Sequence, residues 1–524
     1  MYRISRKRLA KLLESGKQGL LRSSRKGLEK ESLRVTPDGT IAQTRHPESL
    51  GSALTHPWIT TDYSEALLEF ITPPHFETSE TLDFLEDIHR FVYHRLGDEL
   101  LWVTSMPCIV GGDASIPIAR YGDSNVGMMK HVYRRGLDWR YGRTMQAISG
   151  IHFNYSFGDD FLQELQRQQN DNRDAQTFRS DVYFGLIRNF QRFGWLIPLL
   201  FGASPAICRS FAGDEELGFE TFDESTLYEP YGTSLRMSDI GYKNKAQAGL
   251  NISYNDLDAY VASLTHAIST PDEEYQRIGV RVDGTYRQLN ANILQIENEY
   301  YSFVRPKAVA ESGERPTTAL KRAGVEYVEI RALDLNPFEP LGVNADTLLF
   351  LEILLVFCLL EDSPPIAPRE LRGINHNQGQ VARHGRAPDL QLYRNGGKVP
   401  LRTWAMEIMD ALGGIATLLD QNREGTPYTD VLAACRSCIT DPSQTPSARV
   451  LADMSKREES FIKFAMRMSR AHEKHFRTNG LAPEVEARFT QAALESLDWQ
   501  REIEASDSEA FEDYLARYMA QGTA

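Results

Sequence analysis

The sequence predicts an α+β fold built on a mainly antiparallel sheet. Three observations predict it. Strand-like segments lie in the first two thirds of the 524-residue chain, and helical periodicity takes over after about residue 345. A turn at Pro37-Asp38-Gly39 reads as a hairpin, which joins antiparallel neighbours. No glycine pattern supports a dinucleotide-binding unit. No G-x-x-x-x-G-K-[ST] stretch occurs either, so a nucleotide would be held by something other than a P-loop.

Residues 3–15 have the spacing of an amphipathic helix, and Gly27–Val35 reads as the first strand. The chain then returns through residues 40–44. Ala66–Thr72 reads as a further strand, stopped by Pro73-Pro74, and Ser79–Leu96 as a helix. Gly150–Phe157 alternates sharply: Ile151, Phe153, Tyr155 and Phe157 share one face, and His152, Asn154 and Ser156 the other. The pattern predicts a long helix over Ser180–Leu199 and strands over Gln288–Tyr301 and Val325–Leu333. Helices are expected over Ala345–Leu360, Leu401–Leu419, Ser447–Arg477 and Pro483–Ala520. These segments divide the chain into an α+β part, 1–375, and a mainly helical part, 376–524.

Composition narrows the function classes. The chain is 41% hydrophobic and 25% charged, which is ordinary for a globular protein, and its net charge of −14 argues against nucleic acid as the main partner. Residues 1–30 hold no apolar stretch long enough for a signal peptide. The run from Leu348 to Leu360, broken by Glu352, is too short to span a bilayer. Five cysteines do not make a disulfide framework, so a reducing cytoplasm is expected. Cys435 and Cys438 have CxxC spacing without a second pair and read as two helix cysteines.

The chemistry sits on the strands. Glu29 and Glu31 are two apart and share a face with Leu33 and Val35. Acids in line with core residues need a positive partner, either Arg or Lys or a metal ion. Taken alone, the pair fits a surface ion pair as well as a metal site. Glu69 lies among Leu67, Leu68, Phe70 and Ile71; Asp62 lies just before that strand; His152 and Asn154 share a polar face; and Tyr327, Glu329 and Arg331 share another. Together they line one sheet face with carboxylates, a histidine and an arginine. Such a face suits magnesium held by carboxylates and substrate phosphates. Arg331 suits a substrate carboxylate, which a guanidinium binds bidentately. Tyr133, Arg236, Tyr242 and Tyr301 have the character of a pocket wall, and Arg305 and Lys307 that of phosphate contacts. Clustered acids with a histidine also suit a two-metal phosphohydrolase. That reading leaves Arg331 and the tyrosines without a task. A non-catalytic acidic scaffold would show no ATP affinity.

The segments Gly27–Val35, Leu50–His56, Trp58–Pro73, Met145–Asn154, Phe201–Cys208 and Glu326–Phe338 resemble the proteobacterial type of glutamate–cysteine ligase, or γ-glutamylcysteine synthetase. The likeness runs from about residue 15 to residue 345. It implies a curved sheet of the glutamine synthetase-like superfamily with extensive helices, and an active site on the concave face. It implies that Glu29, Glu31, Asp62, Glu69, His152 and Glu329 hold magnesium, with manganese an alternative, and that Glu69 and Arg331 are catalytic. Gln146 and Arg331 would orient glutamate. Tyr63, Tyr133, Leu137, Arg236, Tyr242 and Tyr301 would form the cysteine site, and Asn154 would lie near ATP. Tyr63 stands where the family pattern is expected to have Phe. The resemblance also implies a monomer and feedback by glutathione. A related ligase joining glutamate to another amine is the neighbouring alternative.

Overall fold

The computed structural model describes residues 2–213, 217–241 and 249–521. Seven strands make the central sheet: β1 (Arg25–Val35), β2 (Ile59–Thr61), β3 (Leu67–Ile71), β4 (Leu100–Leu101), β5 (Ile151–Ser156), β6 (Val304–Lys307) and β7 (Tyr327–Leu333). Their order is β6-β7-β5-β1-β3-β2, with β4 paired to the end of β1, and every pairing is antiparallel. The helices used below are α1 (Arg3–Glu14), α2 (Thr78–Tyr93), α3 (Asn125–Tyr141), α4 (Ala175–Phe193), α5 (Ala345–Leu360), α6 (Pro483–Ser506) and α7 (Phe511–Ala520).

Alternation gives the sheet two different faces. Leu28, Leu68, Phe70, Phe153, Tyr155, Val328 and Ile330 join α4 and α5 in the main core, to which residues 401–439 also contribute. On this face Lys26 Nζ meets Glu352 Oε2 at 3.0 Å, fully buried, and Tyr428 donates to the same oxygen at 2.7 Å. This closed set ties α5 to β1. On the other face Leu33, Val35 and Leu67 join a second core with Tyr63, Leu137 and Ile148. The acids of β1 and β3 therefore lie beside a packed floor.

Several expected elements differ. Gln288–Tyr301 is not a strand; it holds a single 3-10 turn at Glu297–Glu299, and the strand comes later, at Val304–Lys307. Its backbone groups bond to side chains instead of a ladder: Leu289 N donates to Gln295 Oε1 at 3.0 Å, and Gln295 N to Glu299 Oε2 at 2.7 Å. The return after Gly39 makes one bridge, Val35 with Ile41, and no strand. The helix expected over 180–199 stops at Phe193 and restarts at Leu196. That over 447–477 breaks at Glu458, whose φ is 53°, and Ser460 caps the next helix. That over 483–520 divides into α6 and α7. Cys108 and Cys208 form a disulfide, one bond in a chain whose five cysteines were expected to make no disulfide framework. The pairing joins residues 100 apart, a separation that leaves no spacing signal. Cys435 and Cys438 are free thiols on one helix. Among the described residues no helix is long and apolar enough to cross a membrane.

Candidate active site

Antiparallel register assembles the site. Residues directly opposite one another on neighbouring strands share a face. Glu31 lies opposite Glu69, Glu29 opposite His152, and Glu329 opposite Asn154. Four strands therefore bring their polar residues to one patch. Between β7 and β5 the register shifts by one between Ile330 and Leu333. Such a bulge re-aims a side chain, and Arg331 sits in it. Its guanidinium reaches Glu329 Oε1 at 2.9 Å and lies 3.4 Å from His152 Nδ1.

His152 is the hub. Its Nδ1 lies 3.0 Å from Glu29 Oε2 and 3.4 Å from Glu329 Oε1, and its Nε2 lies 3.6 Å from Glu31 Oε1. Asn154 Nδ2 donates to Glu29 Oε1 at 2.8 Å, and Lys307 Nζ lies 3.5 Å from Glu329 Oε2. Glu31 accepts the Gly150 N–H at 2.6 Å. Gly150 has to be glycine, because a Cβ there would lie 1.9 Å from Arg236 Nη2.

Charge crowding shifts these groups in opposite directions. Burial, then the carboxylates of Asp62, Glu29 and Glu31, lifts Glu69 to about 8. Burial also raises Glu31. Burial and Arg331 press His152 down, but its contacts with Glu29 and Glu329 and the charge of Glu31 outweigh them and lift it to about 10. Burial opposes ionisation of Glu329, yet Lys307 and Arg331 hold it well below the usual range. The patch therefore holds protons that a cation would replace.

Beside it opens a cleft lined among others by Glu31, Asp62, Tyr63, Tyr133, Leu137 and Gln146, with Tyr301 and Arg331. Gln146 Nε2 donates to the Tyr301 hydroxyl at 2.9 Å. Six of the eight expected substrate residues thus meet in one place. Arg236 is fully buried behind the cleft, donating to the Arg331 carbonyl at 3.1 Å. Arg305 stands opposite Glu329, but its guanidinium is engaged with the Asn298 carbonyl at 3.0 Å and with that of Tyr300. Tyr242 lies outside the described residues. The cleft adds Arg134, Met145, Ile148, Gly241 and Asn298 to the set. Arg134 and Leu137 lie three apart on α3, a helical spacing that could have flagged Arg134 beside Tyr133. A larger cavity lies elsewhere, around Trp404; its Arg192 and Arg394 are paired with Glu370 and Glu407.

The Glutamate-cysteine ligase family profile matches residues 9–381. A glutamate–cysteine ligase of Alcanivorax borkumensis is 52% identical over 517 residues, covering 98% of each chain. The chain belongs to the glutamate–cysteine ligase family. It is accordingly a ligase, of the kind that makes the first bond of glutathione. Solved structures agree. That of the Francisella tularensis glutamate–cysteine ligase, in complex with AMP, superposes with a TM-score of 0.90 at 38% identity, covering 95% of this chain and 97% of that one. A bifunctional glutathione synthetase from Pasteurella multocida gives 0.72 at 25% identity, over 89% of this chain and 55% of that one.

The donor set fits a metal ion. Glu29, His152 and Glu329 each offer a ligand atom, all within 4.8 Å of one another. His152 Nε2 and Glu329 Oε2 are buried without a hydrogen-bond partner. Each faces only a charged group, Glu31 at 3.6 Å and Lys307 at 3.5 Å; buried polar atoms are rarely left so, and metal ligation is a role open to them.

Proposed function

We propose that this site phosphorylates the γ-carboxylate of glutamate with ATP and passes the acyl group to the amine of cysteine. The observation that carries the reading is the His152 hub of carboxylates joined to the Arg331 cleft. Magnesium, or manganese, would be held by Glu29, Glu31, Asp62, Glu69, His152 and Glu329. When bound it would neutralise the phosphates and the charge that gathers during transfer.

The chain's own residues do the rest. Arg331 and Gln146 orient glutamate, so that its γ-carboxylate faces the terminal phosphoryl group. Lys307 and Asn154 lie on the nucleotide side. Arg305, engaged with loop carbonyls, shapes that side rather than reaching phosphate directly. Tyr63, Tyr133, Leu137 and Tyr301 wall the cysteine pocket, with Tyr242 adjoining and Arg236 supporting it from behind. Burial and the Asp138 charge keep the Tyr63 hydroxyl protonated. It therefore acts as a wall and a donor. Attack of the neutral cysteine amine on γ-glutamyl phosphate expels phosphate and leaves γ-glutamylcysteine. No side chain becomes covalently modified.

The same reading makes 1–375 the catalytic part of a glutamine synthetase-like fold, with the helical 376–524 packed on it. It also implies a cytoplasmic monomer inhibited by glutathione. With ATP, magnesium, glutamate and cysteine, ADP is expected to appear only when both amino acids are present. Release of ADP that ignores cysteine would sink the assignment, and faster turnover with 2-aminobutyrate would move it to a neighbouring amine.

Glu69 and His152 make cation binding pH-dependent. Both pKa values are raised without metal, so binding has to expel their protons. Magnesium affinity, read by calorimetry, is expected to rise steadily from about pH 6.5 to about pH 8.5, with net proton release. The sign for stability is the reverse. The raised Glu69 favours the metal-free fold at low pH, and that contribution is lost as pH rises through about 8. A magnesium affinity flat across this range would remove both groups from the metal set.

A further inference from the structure

The C-terminal helix α7 sits where the cleft walls need support. Phe511, Leu515 and Tyr518 pack on Met129 and Val132 of α3, and on Leu289 and Ile296. Helix α3 carries Tyr133, Arg134 and Leu137 into the cleft. The turn between α6 and α7 holds the start of the same helix: Asp507 accepts from the backbone N–H of Asn125 and, at 2.6 Å, from its side-chain amide. An acid there also suits the helix dipole. The last described residues reach the opposite wall. Arg315, buried, donates to the carbonyls of Met519 at 3.2 Å and Gln521 at 2.9 Å, and to Glu297 at 3.0 Å. Glu297 opens the 3-10 turn that precedes Tyr301 and contains Asn298. The two walls meet tightly: a Cβ on Gly136 would lie 2.0 Å from Gln295 Oε1.

Both braced segments, α3 and the 289–301 loop, carry residues of the cysteine pocket. Of the proposed metal ligands, Glu29, Glu31, Glu69, His152 and Glu329 stand on the sheet, and Asp62 stands in the turn between β2 and β3. We propose that α7 and the Asp507 turn are a positioning brace of the amine-acceptor wall, setting affinity for cysteine without touching it. This rests on the reading of the cleft given above.

The test uses Asp507→Ala and Leu515→Ala in the whole chain, with Asp507→Asn as the intermediate variant because it keeps one of the two acceptor oxygens. Asp507→Ala removes two hydrogen bonds at the start of α3, and the cysteine KM is expected to rise about fivefold. The KM values for ATP and glutamate, and the magnesium requirement, are expected to stay within about twofold. Asp507→Asn is expected to recover only part of the loss, because its amide keeps one acceptor oxygen and sets an NH2 group against the other donor. Ile415→Val, in the main core away from the cleft, is the control for plain destabilisation. An unmoved cysteine KM, or a change matched by the control at equal melting temperature, overturns the brace. Wild-type protein without cysteine-dependent ADP release would instead overturn the reading of the site.

Discussion

Glu69→Gln is expected to cost roughly a hundredfold or more in activity while the fold keeps its stability. Glu69 lies opposite Glu31 in the β3–β1 register, with Asp62 and Glu29 also acting on its charge. Like charges held together out of water oppose one another, and burial adds to the cost. Glutamine keeps the shape and removes the charge. The metal-free variant should therefore melt at or above the wild-type temperature at about pH 8, where the wild-type carboxyl is about half ionised. Magnesium should raise the melting temperature of the wild type more than that of the variant, because a ligand stabilises only as strongly as it binds. Thermal unfolding with and without magnesium, beside ADP release, checks both halves. Near-normal activity would remove Glu69 from the cation set, and a large fall in metal-free stability would make it a structural residue.

What could be read from the sequence, and what could not, separates along physical lines. Strand β5 was legible because alternation reports a two-faced strand directly, and α5 because a continuous apolar run reports a buried helix. Glu29 and Glu31 were legible as a same-face pair, but not as part of a hub. Only register puts His152 opposite Glu29 and Glu69 opposite Glu31. The bulge that turns Arg331 toward His152 leaves no trace in residue types. Arg236 looked like a pocket residue, and its depth behind Gly150 depends on a close approach that only coordinates record. The 288–301 segment misled because its Gln, Asn and Glu side chains satisfy the backbone locally, in place of a ladder. The disulfide and the brace by α7 both join distant parts of the chain, where local pattern carries no information.

Arg331→Lys is expected to raise the glutamate KM with little change for ATP or cysteine. The backbone at this position is fixed: its N–H donates to the Phe303 carbonyl at 2.9 Å and its carbonyl accepts from Arg236 at 3.1 Å. The substitution therefore alters the side chain and not the strand. A lysine keeps the charge beside Glu329 but offers a point donor where arginine offers a planar fork. One charge-assisted hydrogen bond is worth about 1.5–3 kcal/mol, so the glutamate KM should rise roughly ten- to hundredfold. Steady-state kinetics with each substrate varied in turn separates the outcomes. A selective rise for glutamate places the guanidinium on the substrate carboxylate. An equal rise for all three substrates would mean that Arg331 acts through Glu329 and His152, which it contacts at 2.9 Å and 3.4 Å, by holding the cation site in shape. Magnesium affinity decides between these, since only the second role weakens it.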